Sequence, residues 1–156
     1  MLPRPARMHR TEDFRRTVRR GVRAGRGAVV VHAWRGDSSG TGIAGGRSTC
    51  SGVGSVAPRT VGFVVSKAVG PAVRRNRVRR RLRHLARRRL GELDEQTQVV
   101  GRALPAAGTA GRELANDLDA AWSAAVAKLD QRVGLAGRAR LDQRSTSADR
   151  SGREPR

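Results

Sequence analysis

The sequence predicts an α+β fold, a two-layer α/β sandwich in which a small sheet carries helices packed upon it. Three observations predict it. Three short runs rich in β-branched residues, 28–34, 60–66 and 97–103, read as strands. Helical patterns precede, separate and follow them, giving the order helix, strands, helix, strand, helix. Of 156 residues only 37% are hydrophobic, with two Phe and two Trp, so one modest core of Val, Leu and Ala is what the chain supplies.

Residues 1–10 are basic and contain proline, and read as a flexible arm. Thr11 is placed to cap a first helix, with Glu12 and Asp13 favourable in its first turn and Phe14 and Val18 on one face. This helix ends near Gly21, and residues 22–26 are basic and punctuated by glycine. Ala28 to Trp34 reads as a strand. Residues 36–58 are dominated by Gly and Ser without periodicity, which predicts a long loop inserted between two strands. Thr60 to Ser66 is the next strand. Gly70-Pro71 then turns the chain, and Pro71 suits the first position of a helix running from Ala72 to about Leu90. Thr97 to Ala103 is a further strand. Thr109 is a candidate cap for the last helix, in which Leu114, Leu118, Trp122, Val126 and Leu129 recur three or four residues apart, with Ala121 and Ala125 on the same face. After Leu129 the chain turns polar and basic, so the domain is placed at residues 11–129 and 130–156 as a disordered basic tail. Trp34 and Trp122 are expected as core anchors, and His32 and His84 as packing or surface residues.

Charge narrows the function. Lys and Arg number 33 against 13 acids, a formal net charge of +20. Such a surplus repels itself in a compact fold, and a polyanion relieves it. A membrane surface would need a bulky amphipathic helix or a lipid anchor. Leu2 stands where myristoylation needs glycine, and there is neither an apolar run of ~18 residues nor a secretory hydrophobic segment. No membrane association and a cytoplasmic location are expected. Cys50 is the single cysteine, which excludes an internal disulfide or a multi-cysteine metal site. The acids form no evident two-metal cluster, so the protein alone is expected to be inert as a nuclease. Glu92, Asp94 and Glu95 follow a very basic helix and are read as offsetting its charge.

That helix, 72–90, carries the strongest signal. At ~100° per residue Val78, Leu82 and Leu85 share one face, widened by Ala86, while Asn76, Arg80, Arg83 and Arg87 share the opposite one. Arg77, Arg79 and Arg81 flank the two. Like charges a turn apart destabilise a helix by a few tenths of a kcal/mol per pair. Phosphate would supply the missing countercharge, and each guanidinium is a planar fork able to grip it with two hydrogen bonds. The plain alternative is a solvated cationic face, but such a face usually interleaves acids. No helix-turn-helix, zinc-finger or leucine-zipper spacing appears, which favours RNA over duplex DNA.

The run Val61-Gly62-Phe63-Val64-Val65-Ser66-Lys67, then Ala68-Val69-Gly70-Pro71-Ala72-Val73-Arg74 and Arg75-Asn76-Arg77-Val78-Arg79-Arg80-Arg81-Leu82-Arg83, resembles the signature of the bacterial ribonuclease P protein subunit. Thr11-Glu12-Asp13-Phe14 resembles that family's opening helix, and the likeness extends over roughly residues 7–129. It implies a fold like the second domain of ribosomal protein S5, with a left-handed strand-helix-strand crossover. It implies a ribonucleoprotein endonuclease that removes the 5′ leader of precursor tRNA, with the chemistry carried by a catalytic RNA that binds Mg²⁺. The protein itself would hold no catalytic residue and no metal. Arg75, Asn76, Arg77, Arg79, Arg80 and Arg83 would contact the catalytic RNA. Phe14, Ser66, Lys67 and Arg102 would contact the single-stranded leader. The partners implied are the ribonuclease P RNA and precursor tRNA, with no protein partner required.

The chain departs from the family pattern in places. Val18 stands one turn after Phe14 where a second aromatic is expected, and the strand 28–34 offers Val31 and His32 where an aromatic is common. Pro71 replaces a frequent Asn. Weaker leader stacking is expected, and Phe14 is left open as either a stacking platform or a core residue. The loop 36–58 is longer than usual, with no role assigned. The competing reading is a structural ribosomal protein, or another RNA-binding protein without a nuclease role.

Overall fold

A computed structural model describes residues 2–36 and 59–150. The loop expected over 36–58, with Cys50, lies apart from Gly36 outside the described residues. The elements are α1 (Thr11–Arg20), β1 (Val22–Arg26), β2 (Val29–Arg35), β3 (Thr60–Val65), α2 (Ala72–Arg89), β4 (Thr97–Ala103) and α3 (Glu113–Arg150). The four strands form one sheet in the order β1-β2-β4-β3; β3 and β4 are parallel and the other pairs antiparallel.

Alternation sorts the strands onto two faces. On the inner face Val29, Val31 and Ala33 of β2, Val61, Phe63 and Val65 of β3, and Val99 and Ala103 of β4 join one buried cluster. Onto it pack Val78, Leu82 and Ala86 of α2, and Leu114, Leu118, Ala121, Trp122, Ala125 and Leu129 of α3. A Cβ on Gly101 would stand 2.6 Å from Phe63 Cε1, so glycine there lets the Phe63 ring lie across β4. Burying a Val or Leu side chain contributes roughly 1.5–3 kcal/mol, against a few tenths lost per like-charge pair on α2. Packing therefore holds α2 helical despite its arginines.

The structure adds a strand. In β1 only Ala24 is fully buried, so its sequence shows too little alternation to read as one. Its partner fixes it: Arg26 pairs with Val29 across a two-residue turn whose Gly27 has φ 44°. The Asp117 carboxylate of α3 accepts the Ala28 N–H at 2.8 Å and ties that turn to the helical layer.

Two expected helix caps shift. Arg10, not Thr11, is the residue before α1, and no side chain caps it. The helix α2 begins at Ala72 as expected, with Pro71 as the residue before it. Thr109 Oγ1 donates to Ala106 O at 3.2 Å, closing a 3₁₀ turn (Pro105–Gly108), and α3 begins at Glu113. A hydroxyl that finds a carbonyl close by in the chain bonds there first.

The two ends also differ from expectation. Residues 2–8 are docked: Leu2, Ala6 and Met8 are buried, Arg7 pairs with Val61 in a parallel bridge, and the Met8 N–H donates to Val61 O at 3.0 Å. The free edge of β3 presents unpaired backbone groups, and this segment covers it. At the other end α3 continues to Arg150 instead of giving way to a disordered tail after Leu129. Helix extension adds one hydrogen bond per residue, and the stretch is rich in Ala, Leu and Arg with no proline before Pro155. Residues 130–136 are nonetheless exposed, and Leu129 is the last buried residue among those described.

Leu2 is 1% exposed. Its replacement by Ala is expected to lower the unfolding free energy by about 2–4 kcal/mol in urea titration of the RNA-free protein. An unchanged midpoint and slope would mean that the N-terminal segment does not dock.

Candidate nucleic-acid interface

Two basic surfaces lie on opposite sides of the sheet. The first is the outward side of α2. Asn76, Arg77 and Arg80 are exposed, while Arg75, Arg79 and Arg83 are half-buried. Asn76 Oδ1 accepts a hydrogen bond from Arg79 Nη1 at 3.1 Å, which holds two members of the row in register. Burial, and then the nearby guanidinium groups of Arg7 and Arg79, depress the Arg83 pKa. It remains a cation at neutral pH, so three guanidinium groups crowd together here. Arg75 Nε is buried with no hydrogen-bond partner. Arg74 lies against Gly70 and Gly108, with its Cδ 3.2 and 3.1 Å from where their Cβ atoms would be.

The acids are used elsewhere. Arg89, at the end of α2, bonds Glu92 and Asp119 at 3.1 Å each, and the Glu92 hydrogen bond leads in raising its pKa. Arg35 bridges Asp94 at 2.6 Å and Asp130 at 3.1 Å. The expected offset by Glu92 thus falls on Arg89 alone, and the outward row keeps its charge.

The second surface is the outer sheet face. α1 crosses one end of it, with Phe14 lying over Gly62 and Thr17 Oγ1 donating to Gln98 Oε1 at 3.1 Å. Phe14 is half-buried, and Val18 beside it is 45% exposed. Beyond α1 the face stays open. Gly62 pairs with Val100, and Val64 with Arg102, so Arg102 stands one alternation, about 7 Å, from the strand position under the Phe14 ring. Arg102 is exposed. Ser66 (φ −75°, ψ 166°) continues β3 in extended form, and exposed Lys67 opens the following 3₁₀ turn. Phe14 and Arg102 thus share one face, with Ser66 and Lys67 at the end of the strand beside it.

Sequence reading missed three residues here. Arg7 joins the α2 arginines through its pairing with Val61, which no local pattern announces. Arg23 and His32 pair across β1 and β2, and β1 was not foreseen. His32 is 9% exposed, and burial followed by Arg23 and Arg102 lowers its pKa from the ordinary 6.5. On the far side of α1, Trp34 is half-buried beneath Arg16, whose guanidinium carbon lies 5.6 Å from the ring centroid; only Trp122 is the fully buried anchor expected of both.

Among the described residues no helix is long and apolar enough to cross a membrane, and no group of three His, Cys, Asp or Glu side chains converges to hold a metal ion.

Comparisons with known proteins bear on the family and the fold. The ribonuclease P family model matches residues 2–126. A ribonuclease P protein component from Streptomyces griseus is 52% identical over 122 residues, covering 78% of this chain and 92% of its own. One from Salinispora tropica is 49% identical over 137 residues, covering 85% and 98%. Among solved structures, the RNase P protein of Staphylococcus aureus superposes with a TM-score of 0.59 at 19% identity, over 80% of this chain and 96% of that one, a likeness of fold.

Arg80 and Arg89 separate a binding role from a structural one. Arg80→Ala is expected to leave stability within about 0.5 kcal/mol of wild type. It should reduce by about one the slope of log affinity for a structured RNA against log salt. Arg89→Ala, which strips two acids of their partner, should cost about 0.5–1 kcal/mol in chemical denaturation and leave that slope unchanged. Equal slopes in all three proteins would remove α2 from the interface.

Proposed function

The chain belongs to the family of ribonuclease P protein components, and on that premise we propose how its two surfaces divide the work of this endoribonuclease. The outward side of α2, with Arg75, Asn76, Arg77, Arg79, Arg80 and Arg83, docks on the catalytic RNA subunit. The outer sheet face, with Phe14, Ser66, Lys67 and Arg102, holds the single-stranded 5′ leader of precursor tRNA. The observation that carries this reading is the separation by one sheet of two basic surfaces whose cations have no carboxylate partner among the described residues, the first on a helix and the second beside a ring.

The physical fit differs between the two. Folded RNA presents phosphates along rigid backbones, and a helix that fixes the spacing of its arginines meets them without a backbone ordering cost. A single strand is flexible and exposes its bases, and it is gripped by a basic groove with a ring on which a base stacks. Phe14, half-buried over Gly62, gives its underside to the protein and leaves ring surface beside the groove. It serves both of the roles left open for it. Arg102 and Lys67 would track the leader phosphates, setting its register without reading its sequence.

The protein's contribution is to bind and to orient. Hydrolysis of the phosphodiester belongs to the RNA subunit, and we assign the Mg²⁺ to that RNA, since the described side chains offer no converging donor set. The competing reading, a structural ribosomal protein, has no comparable support once the family match is made.

Cleavage of a precursor tRNA at low Mg²⁺ tests the assignment, using a bacterial ribonuclease P RNA, this protein, and both. Cleavage at the mature 5′ end only by the mixture is expected; cleavage by the protein alone would overturn the division of labour. Phe14→Ala should reduce the preference of the assembled enzyme for leader-bearing over leaderless tRNA by roughly 5- to 100-fold, as expected for the loss of one base-aromatic stack. Assembly with the RNA subunit should stay near normal. A wild-type ratio in that variant would make Phe14 purely a packing residue.

A further inference from the structure

The outer-face groove also holds an imidazole. His32 lies on β2, paired with Arg23 of β1 on one side and Val100 of β4 on the other. Arg102 pairs with Val30, two residues along β2, and so stands diagonal to the imidazole. α1 turns uncharged Phe14 and Thr17 toward the sheet, so among the described residues the charges facing His32 are two guanidinium groups and no carboxylate. The imidazole Nδ1 is buried and has no hydrogen-bond partner.

We infer that the groove binds single-stranded RNA together with a proton: a strand whose phosphates lie by Arg23 and Arg102 drives protonation of the His32 imidazole between them. This rests on the leader-binding reading of the groove. A neutral imidazole leaves Nδ1 as a bare acceptor, whereas an imidazolium makes both nitrogens donors and leaves Nδ1–H buried without an acceptor. Burial and the two arginines oppose the charge further, so the free protein holds His32 neutral at pH 7. Phosphates change the balance. Each brings a negative charge beside Arg23 and Arg102, cancels the repulsion they exert on the ring, and itself attracts the imidazolium.

The sign follows from linkage. The free pKa lies below 6.5, and that of the complex lies higher. The complex therefore carries more protons than the free protein in the window between the two values. Affinity rises as pH falls through that window, by up to about tenfold per pH unit for one proton, and is flat outside it. An exposed tyrosine or phenylalanine at this position would stack without any such dependence. Histidine makes the grip on the strand responsive to the pH range in which its charge changes.

The test uses the assembled ribonucleoprotein, measuring binding and not cleavage, because hydrolysis has a pH dependence of its own. The ratio of affinities for leader-bearing and leaderless precursor tRNA is followed from about pH 8 to about pH 5.5. The wild-type ratio should climb by roughly 3- to 10-fold on acidification, and the His32→Gln ratio should not change with pH. A second measurement needs no variant at this site. The chain has three histidines, so their imidazole protons are titrated by NMR in the full-length protein, with and without a short single-stranded oligoribonucleotide. The His32 midpoint should rise on adding the strand, with His9 and His84 assigned through their own substitutions.

A leader-dependent ratio well above one but flat with pH would overturn the proton linkage and leave the leader site standing. A ratio of one at every pH would overturn both. A slope equal in wild type and His32→Gln, or an unmoved His32 midpoint in the presence of bound strand, would also remove His32 from the role.

Discussion

The parallel pairing of β3 with β4 is the constraint on which the rest of the molecule depends. Two neighbouring parallel strands cannot be joined by a tight turn, so the chain must cross over on one face of the sheet. α2 is that crossover, and Val78, Leu82 and Ala86 fasten it to the inner face. Its remaining sides have nowhere to point but outward, and they carry arginine. The same pairing makes β3 an edge strand, which residues 2–8 cover, bringing Arg7 toward Arg83. It also places Gly62 beside Val100, where α1 lays Phe14 across the opposite face. One strand register thus fixes both basic surfaces and separates them by the sheet.

Charge is distributed with the same economy. The side-chain ion pairs seen among the described residues fall on Arg16, Arg35 and Arg89. Arg35 joins β2 to Asp94, before β4, and to Asp130 on α3, while Arg89 joins α2 to α3 through Asp119. These acids hold elements together. None of them faces the outward row of α2 or reaches Arg102 or Lys67. The repulsion left there is small per pair, a few tenths of a kcal/mol, and the packed core tolerates it. A polyanion that takes up these charges gains both their attraction and the release of its own counterions. The arginines that join elements pair with an acid, and those proposed to bind RNA pair with none among the described residues.

Much of this was legible in the sequence, because periodicity reports burial directly. β4 spans the seven residues that its Val-Val run suggested, and α2 ends one residue before the expected limit. The faces of α2 follow from its 3.6-residue period. What could not be read is whatever long-range partners decide. β1 has a single fully buried residue and exists because β2 offers it an edge. Leu2, Ala6 and Met8 are scattered in a basic segment and find their places only once β3 presents its own edge. His32 could be assigned no role without β1, since Arg23 across that pairing supplies half of its electrostatic setting. Trp34 was placed in the core with Trp122, yet its strand position turns it to the outer face, where Arg16 covers it.

The composition of the groove also bears on how selective it can be. Among the described residues its hydrocarbon ring is Phe14, and one turn on, where the family pattern has a second aromatic, stands Val18; Val18 and Val64 offer 45% and 40% exposed aliphatic surface. Aliphatic side chains exclude water from a strand but do not discriminate among bases by stacking or hydrogen bonding. Under the proposed leader-binding role the remaining cations would meet phosphate, which is the same at every nucleotide. A groove of this composition would grip the backbone and read little sequence. His32, on its floor, is held toward the neutral form by burial, Arg23 and Arg102. On the proton-linked reading, what such a groove would adjust is the strength of its grip more than its selectivity.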